Sequence, residues 1–307
     1  MTGLYKKDII GQGDYAYSVP FFGESRPLLI DQLFSEKSVL EYEIELSKKN
    51  IIRKGKKLSV EIFAPNLSKG KGAFLKETAS PLFDANGKLV GAIESIRDIT
   101  ERKQSEEAIK QSYRNLQKTM EGTVRAIVAL AEKRDPYAAG HQTRVSRLAC
   151  AVAREMDLPG EQIEGIRVAG LLHDIGKVYI PTDILNKPTR LTDIEMMLIK
   201  THPSVGSEIL EIIPFNWPVA QIALQHHERL NGSGYPAGLS GSEILLEAKI
   251  LAVADVVEAM SNHRPYRPAL GKDKALEEIC NNSGILYDSD AVDVCLRVFT
   301  KNDFKFT

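Results

Sequence analysis

No histidine precedes position 141; all six lie at or beyond it, at 141, 173, 202, 226, 227 and 263. Chemistry that relies on imidazole is therefore confined to the C-terminal part of the chain. Cysteine is nearly as scarce. Cys150, Cys280 and Cys295 are too far apart for a close-spaced thiolate metal site or redox pair. Scattered thiols of this kind fit small buried residues in a reducing compartment, so a cytoplasmic location is expected. No uninterrupted apolar run approaches the ~18 residues of a membrane helix, and the first residues lack the basic-then-apolar pattern of a signal peptide. An anchor upstream of Met1 stays open. Neither sign of charge dominates, with 40 Lys and Arg against 41 Asp and Glu. Nucleic-acid polymers and anionic membranes select a basic excess, so neither is expected as a partner. A small anionic ligand needs only a local positive cluster.

The residues that are present divide the chain into three regions. Residues 1–98 read as mostly strand. Positions 58–64 alternate apolar and polar, the half-buried strand pattern, and 73–80 do so more weakly. Asp84-Ala85-Asn86-Gly87 is hairpin chemistry, residues 89–97 are the returning strand, and Gly and Lys at 69–72 mark another turn. Residues 99–134 read as one long helix. Ile109, Tyr113, Leu116, Met120, Thr123 and Ile127 alternate at four- and three-residue spacing, a coiled-coil seam that suits a parallel dimeric linker, with an ordinary amphipathic helix packed on its own domain as the alternative. Asp135-Pro136 ends or kinks it. Residues 135–307 read as helices joined by short turns. Thr192 with Glu195 and Ser240 with Glu243 have capping-box spacing. A largely apolar helix over 244–260 is expected at the centre of the core. The fold class is thus α+β multidomain: an antiparallel sheet, a linker helix and an all-α domain.

His141, His173, Asp174, His202, His226, His227 and Asp255 are candidate metal ligands. Successive clusters lie 24 to 32 residues apart, about one helix and one connection. A bundle can bring one cluster per helix to a common point. Neighbouring residues on a helix point about 100° apart, so adjacent pairs such as His173-Asp174 and His226-His227 suit two metals better than one. Asp255 sits among Ala254, Val256 and Val257, where an unpaired carboxylate is costly.

Residues from about 121 to 300 resemble an HD-GYP domain, a bacterial branch of the HD phosphohydrolase superfamily. The matching pieces are His141-Gln142-Thr143-Arg144, His173-Asp174-Ile175-Gly176-Lys177, His202-Pro203, His226-His227-Glu228, Gly234-Tyr235-Pro236, Ala254-Asp255 and Arg264-Pro265-Tyr266-Arg267. Residues 91–102 resemble the exit of a PAS sensor domain into a signalling helix. The PAS resemblance is partial and places Met1 inside the family's early helices, which implies a truncated chain or a misassigned start, with a degenerate domain as the alternative.

The HD-GYP resemblance implies a metal-dependent phosphodiesterase that hydrolyses cyclic di-GMP to pGpG or GMP, or a related cyclic dinucleotide such as cyclic GMP-AMP. Some members carry a glutamate four residues before the first histidine, associated with a third metal. Tyr137 stands there, so two ions are expected. His and carboxylate ligands without Cys suit iron or manganese and are compatible with zinc. Asp174 would bridge the ions and Lys177 would contact the reacting phosphate. Arg264 and Arg267 are candidates to grip a second phosphate or a guanine edge, with a structural salt bridge as the plain alternative. Tyr235 either stacks on a base or packs the loop. Arg144 and Glu228 are expected to support ligands rather than to coordinate. The Gly-Tyr-Pro loop is also a candidate contact for signalling partners, and a homodimer is expected through the linker and the PAS-like region. That region has neither His nor Cys to hold haem or trap flavin, and is expected to relay without a cofactor. The competing readings are a non-catalytic module that binds a cyclic dinucleotide or a protein, and a mononucleotide phosphohydrolase.

Overall fold

Alternation in the first hundred residues is realised as a four-stranded antiparallel sheet in the computed structural model, which describes residues 10–34, 51–67, 71–134, 139–262, 269–301 and 304–306. The strands are β1 (Ile52–Lys54), β2 (Lys57–Ala64), β3 (Ala73–Phe83) and β4 (Leu89–Asp98), in the order β1-β2-β3-β4. The register pairs Leu58 with Ala79 and Ile62 with Leu75. Leu58, Val60, Leu75 and Ala79 are buried. The 84–87 turn closes as its residues dictate: Asp84 Oδ1 accepts from the Asn86 and Lys88 N–H groups at 2.9 and 2.8 Å, and Gly87 adopts φ 77°. The glycine-lysine turn at 69–72 falls partly outside the described residues.

Residues 10–34 depart from the strand expectation. They form short helical turns at Ala16–Ser18, Val19–Phe22 and Leu29–Phe34. Polar side chains there bind nearby backbone, which competes with strand pairing. Ser18 Oγ donates to Tyr15 O and accepts from the Arg26 N–H, and Asp31 accepts from the Leu28 N–H and the Tyr17 hydroxyl. The Leu29–Phe34 turn packs on β3, burying Leu29 against Leu58 and Val60.

Helix α1 (Thr100–Arg134) follows β4 directly. Along the expected seam Ile109, Tyr113 and Leu116 stay exposed at 69, 62 and 67%, whereas Val124 and Val128 are buried in the helical core. The chain divides into two units within this helix, Met1–Leu116 and Gln117–Thr307. Asp135-Pro136 lies outside the described residues.

The second unit is built from α2 (His141–Glu155), α3 (Gly160–Leu172), α4 (Asp193–Ile199), α5 (His202–Glu211), α6 (Val219–Gln225), α7 (Leu246–Ser261), α8 (Lys272–Asn281) and α9 (Ser289–Thr300). Its described residues form no strand, only two isolated bridges. Thr192 and Glu195 make the expected capping box on α4. Ser240 and Glu243 also make a box, but it closes the 3-10 turn Gly241–Glu243, and α7 starts at Leu246 rather than 244. The reason is tertiary: the Leu245 N–H is taken by Gln225 Oε1 at 2.8 Å, and Ile244 is held extended. Helix α7 is central, packing on α2, α3, α8 and α9 with Ile250, Leu251, Val253, Ala254 and Val257 fully buried. Among the described residues no helix is long and apolar enough to cross a membrane. Truncating Leu251→Ala leaves a cavity in this core and is expected to destabilise the helical unit by ~2–5 kcal/mol, read as a lower urea midpoint of helical circular dichroism.

Candidate metal centre

Helix ends position most of the histidines. His173 follows the last residue of α3, His226 follows the last residue of α6, and His202 opens α5 three residues beyond α4. The last carbonyls of a helix lack an intrahelical donor. His173 Nδ1 donates to Gly170 O at 2.8 Å, His202 Nδ1 to Ile199 O at 2.8 Å and His226 Nδ1 to Ala223 O at 2.6 Å. A neutral ring with its proton on Nδ1 keeps a free lone pair on Nε2. His141 is the first residue of α2, and its Nδ1 meets the Glu258 carboxylate on α7.

All seven candidate ligands are brought together. Asp174 has two differently facing oxygens. Its Oδ1 lies 3.3 Å from His202 Nε2, while Oδ2 lies 3.5 Å from His173 Nε2 and 3.7 Å from His141 Nε2. Asp255 Oδ1 is 3.2 Å from His141 Nε2 and 3.9 Å from His173 Nε2. The ligand atoms fall into three compact groups, each within 4.8 Å: His202, His226 and His227; His141, His173 and Asp255; and His173, Asp174 and His226.

The electrostatics suit a cation. Burial pushes the histidines towards the neutral form: His202 down to about 4, His227 down to about 3, and His173 and His226 also downward. Burial alone would raise the aspartates, yet both are held well below the usual carboxylate range. The Lys177 ammonium leads this for Asp174 and the His141 hydrogen bond for Asp255. Two observations test the fit of a metal. His173 Nε2 is buried without a hydrogen-bond partner. His202 Nε2 and His226 Nε2 face each other at 3.4 Å with both Nδ1 protons already committed. A divalent ion satisfies all three nitrogens, and imidazole with carboxylate is a donor set that iron, manganese and zinc accept.

A cavity of about 400 Å³ opens beside the cluster, and Asp174, Lys177, His202, His227 and Tyr235 line it. Lys177 lies on the 3-10 turn Ile175–Tyr179 and donates from Nζ to Asp174 Oδ2 at 2.6 Å. Tyr235 stacks on His227 with centroids 4.7 Å apart, under the Lys200 ammonium at 5.2 Å. Glu228 does not touch a candidate ligand through its carboxylate. It accepts from the Ala237 and Leu239 N–H groups at 2.8 and 3.0 Å and so pins the loop after Gly234-Tyr235-Pro236. Arg144 acts one step further out, donating from Nε to Glu258 Oε1 at 2.6 Å. Tyr137, His263, Arg264 and Arg267 lie outside the described residues.

Two glycines are sterically required. A Cβ on Gly176 would lie 1.9 Å from His202 O, and one on Gly234 would lie 2.4 Å from Glu228 Cα. Sequence reasoning missed Glu258. Its signal was present: an acid one turn after Asp255 inside an apolar helix, buried to 1% exposure. A carboxylate on the far nitrogen of a ligating histidine fixes its orientation and raises its basicity. Glu258→Gln is expected to weaken metal binding by about 10–100-fold with unchanged circular dichroism, measured by chelator competition; equal affinity would remove this role. Gly176→Ala is expected to separate the His173-Asp174 turn from α5, seen as a lower melting temperature together with lost metal stoichiometry.

Residues 125–291 match the family model described as HD domain. The chain is 40% identical over 194 residues to the cyclic di-GMP phosphodiesterase response regulator RpfG of Xanthomonas campestris, covering 62% of this chain and 51% of that protein. It is 39% identical over 158 residues to the 3′3′-cGAMP-specific phosphodiesterase 3 of Vibrio cholerae, covering 51% and 34%. It thus spans about half the length of the first relative and a third of the second. Among solved structures, Bd1817, described as an HDG"Y"P protein from Bdellovibrio bacteriovorus, aligns with a TM-score of 0.45 and 20% identity over 52% of this chain and 51% of its own. The HD match covers more than half of the chain and contains every candidate ligand, so the chain belongs to the HD domain family and carries the Gly-Tyr-Pro turn of its HD-GYP branch.

Proposed function

We propose that the chain is a metal-dependent phosphodiesterase that hydrolyses cyclic di-GMP to linear pGpG or onward to GMP. The observation that carries this reading is Asp174, whose two oxygens face separate histidine groups. Two ions, iron or manganese with zinc also accepted by the donors, would be held by His202, His226 and His227 and by His141, His173 and Asp255. Asp174 would offer one oxygen to each. Bound divalent ions supply Lewis acidity towards a phosphoryl oxygen and a water acidic enough to ionise near neutral pH.

The remaining work falls to the chain. Lys177, held by Asp174 at the cavity wall, places an ammonium where charge grows on the phosphoryl oxygens. Tyr235, braced on His227, presents its ring to the same cavity, where a base can stack. Arg264 and Arg267 complete the proposal as grips for the second phosphate or a guanine edge. Cyclic GMP-AMP is the second reading, favoured by the relative named for that substrate.

The proposal assigns residues 1–98 to a PAS-like sensor, 99–134 to a signalling helix and 135–307 to the hydrolase. The sheet order is in keeping with the sensor assignment, and the exposed Ile109, Tyr113 and Leu116 seam supports a homodimer that transmits a signal through α1. The loop pinned by Glu228 is the candidate contact for signalling partners.

The deciding experiment loads the chain anaerobically with iron(II) or manganese(II) and offers cyclic di-GMP and cyclic GMP-AMP in parallel, with products separated by chromatography. Cyclic di-GMP is expected to disappear faster. Asp174→Ala should abolish turnover, and Lys177→Met should lower kcat by about 10²–10³-fold, the usual loss for one transition-state charge contact. Tight binding of an intact cyclic dinucleotide by the loaded protein would sink the enzyme reading.

A further inference from the structure

The first unit contains a cavity of about 430 Å³ between the Leu29–Phe34 turn and the sheet, within the range of small-molecule sites. Its walls are apolar at Leu28, Leu29, Val60 and Ile62 and polar at Arg26, Gln32 and Glu77. Glu77 is the anomaly. It is 2% exposed, and its Oε1 has no hydrogen-bond partner. A buried carboxyl oxygen left unpaired carries an uncompensated desolvation penalty, so a fold that keeps one gains from something that fills it.

The neighbourhood indicates what fills it. Glu94 lies diagonally across the β3–β4 pair, since Glu77 opposes Ile96 and Ala79 opposes Glu94. Its Oε1 is also buried and unpartnered. Burial pushes both carboxyls up to about 7; Arg26 and the Leu29 N–H oppose this at Glu77, while at Glu94 the Ile30 and Leu29 N–H groups oppose it and Glu77 and Asp31 add to it. Asp31 is already satisfied by the Tyr17 hydroxyl and the Leu28 N–H. Arg26 is the only cation lining the cavity among the described residues, and its guanidinium packs on the Phe22 ring at 3.5 Å. Around the cavity, Glu77, Glu94 and Asp31 therefore outnumber Arg26, and one oxygen each of Glu77 and Glu94 still has no donor. A neutral ligand would supply a donor but leave that excess uncompensated. An ammonium group supplies both donors and charge.

We propose that this cavity binds a small organic amine, its protonated nitrogen on Glu77 and its apolar body against Leu28, Leu29, Val60 and Ile62. The first unit then receives a chemical signal directly, rather than acting only as a relay without a ligand. The site lies wholly within that unit and does not depend on the phosphodiesterase reading.

Isothermal titration calorimetry of the full chain tests it with three probes of one shape: phenethylamine, 2-phenylethanol and 3-phenylpropionate. Phenethylamine is expected to bind saturably at one site, with the alcohol and the carboxylate at least about tenfold weaker, a difference of ~1.4 kcal/mol. Glu77→Gln is expected to weaken the amine by at least the same factor. Absence of saturable heat from phenethylamine up to about 10 mM, an affinity floor near −3 kcal/mol, would overturn the proposal. So would equal binding of the alcohol, preference for the carboxylate, or an amine affinity untouched in folded Glu77→Gln. If that variant does not fold, the probe series on the unaltered chain still decides.

Discussion

At the ends of α3, α4 and α6 a carbonyl needs a donor, and an imidazole N–H supplies it for each. The site depends on these three bonds. They satisfy backbone groups that burial would otherwise leave unpaired, and they commit the Nδ1 protons of His173, His202 and His226. What remains is a set of bare Nε2 atoms aimed at one point. Such an arrangement suits a cation that shares the lone pairs, and His173 Nε2 has no hydrogen-bond partner among the described residues.

The glycines and carboxylates around the cluster follow from the same constraint. Gly176 lets the turn after His173-Asp174 press against the first residues of α5, bringing His202 to Asp174 Oδ1. Gly234 lets the loop after His226-His227 fold back on its own strand of chain, where Glu228 holds it and Tyr235 covers His227. Glu258 does for His141, at a helix N-terminus, what carbonyls do for the others at C-termini. The carboxylate comes from α7 and is charge-balanced by Arg144.

The two units use burial differently. In the helical unit every buried acid near the cluster has a partner: Asp174 has Lys177, Asp255 has His141, and Glu258 has Arg144. In the sheet unit Glu77 and Glu94 each keep an oxygen without one. Fully paired acids are consistent with a prearranged centre, and the half-satisfied Glu77 at the cavity wall with the amine site proposed there.

Much of this was legible in residue order. Alternation over 58–64 and 73–80, the Asp-Ala-Asn-Gly turn and the adjacent His-Asp and His-His pairs carry local signals, because strand pleat, turn geometry and ligand spacing are set by near neighbours. Those signals identified the sheet, the helical domain and the seven residues that converge. Other features depend on residues distant in sequence. The N-terminal turns, the delayed start of α7 at Leu246, Glu258 on His141 and Glu228 on the loop backbone are all decided by partners far along the chain. The cavity beside Glu77 belongs with them, since an alternating strand reads the same whether its inward glutamate meets a partner or a void. Composition and spacing alone determined which chemistry the chain can hold. Only tertiary packing decided which atom of each side chain faces it, because hydrogen-bond direction is a property of the assembled neighbours.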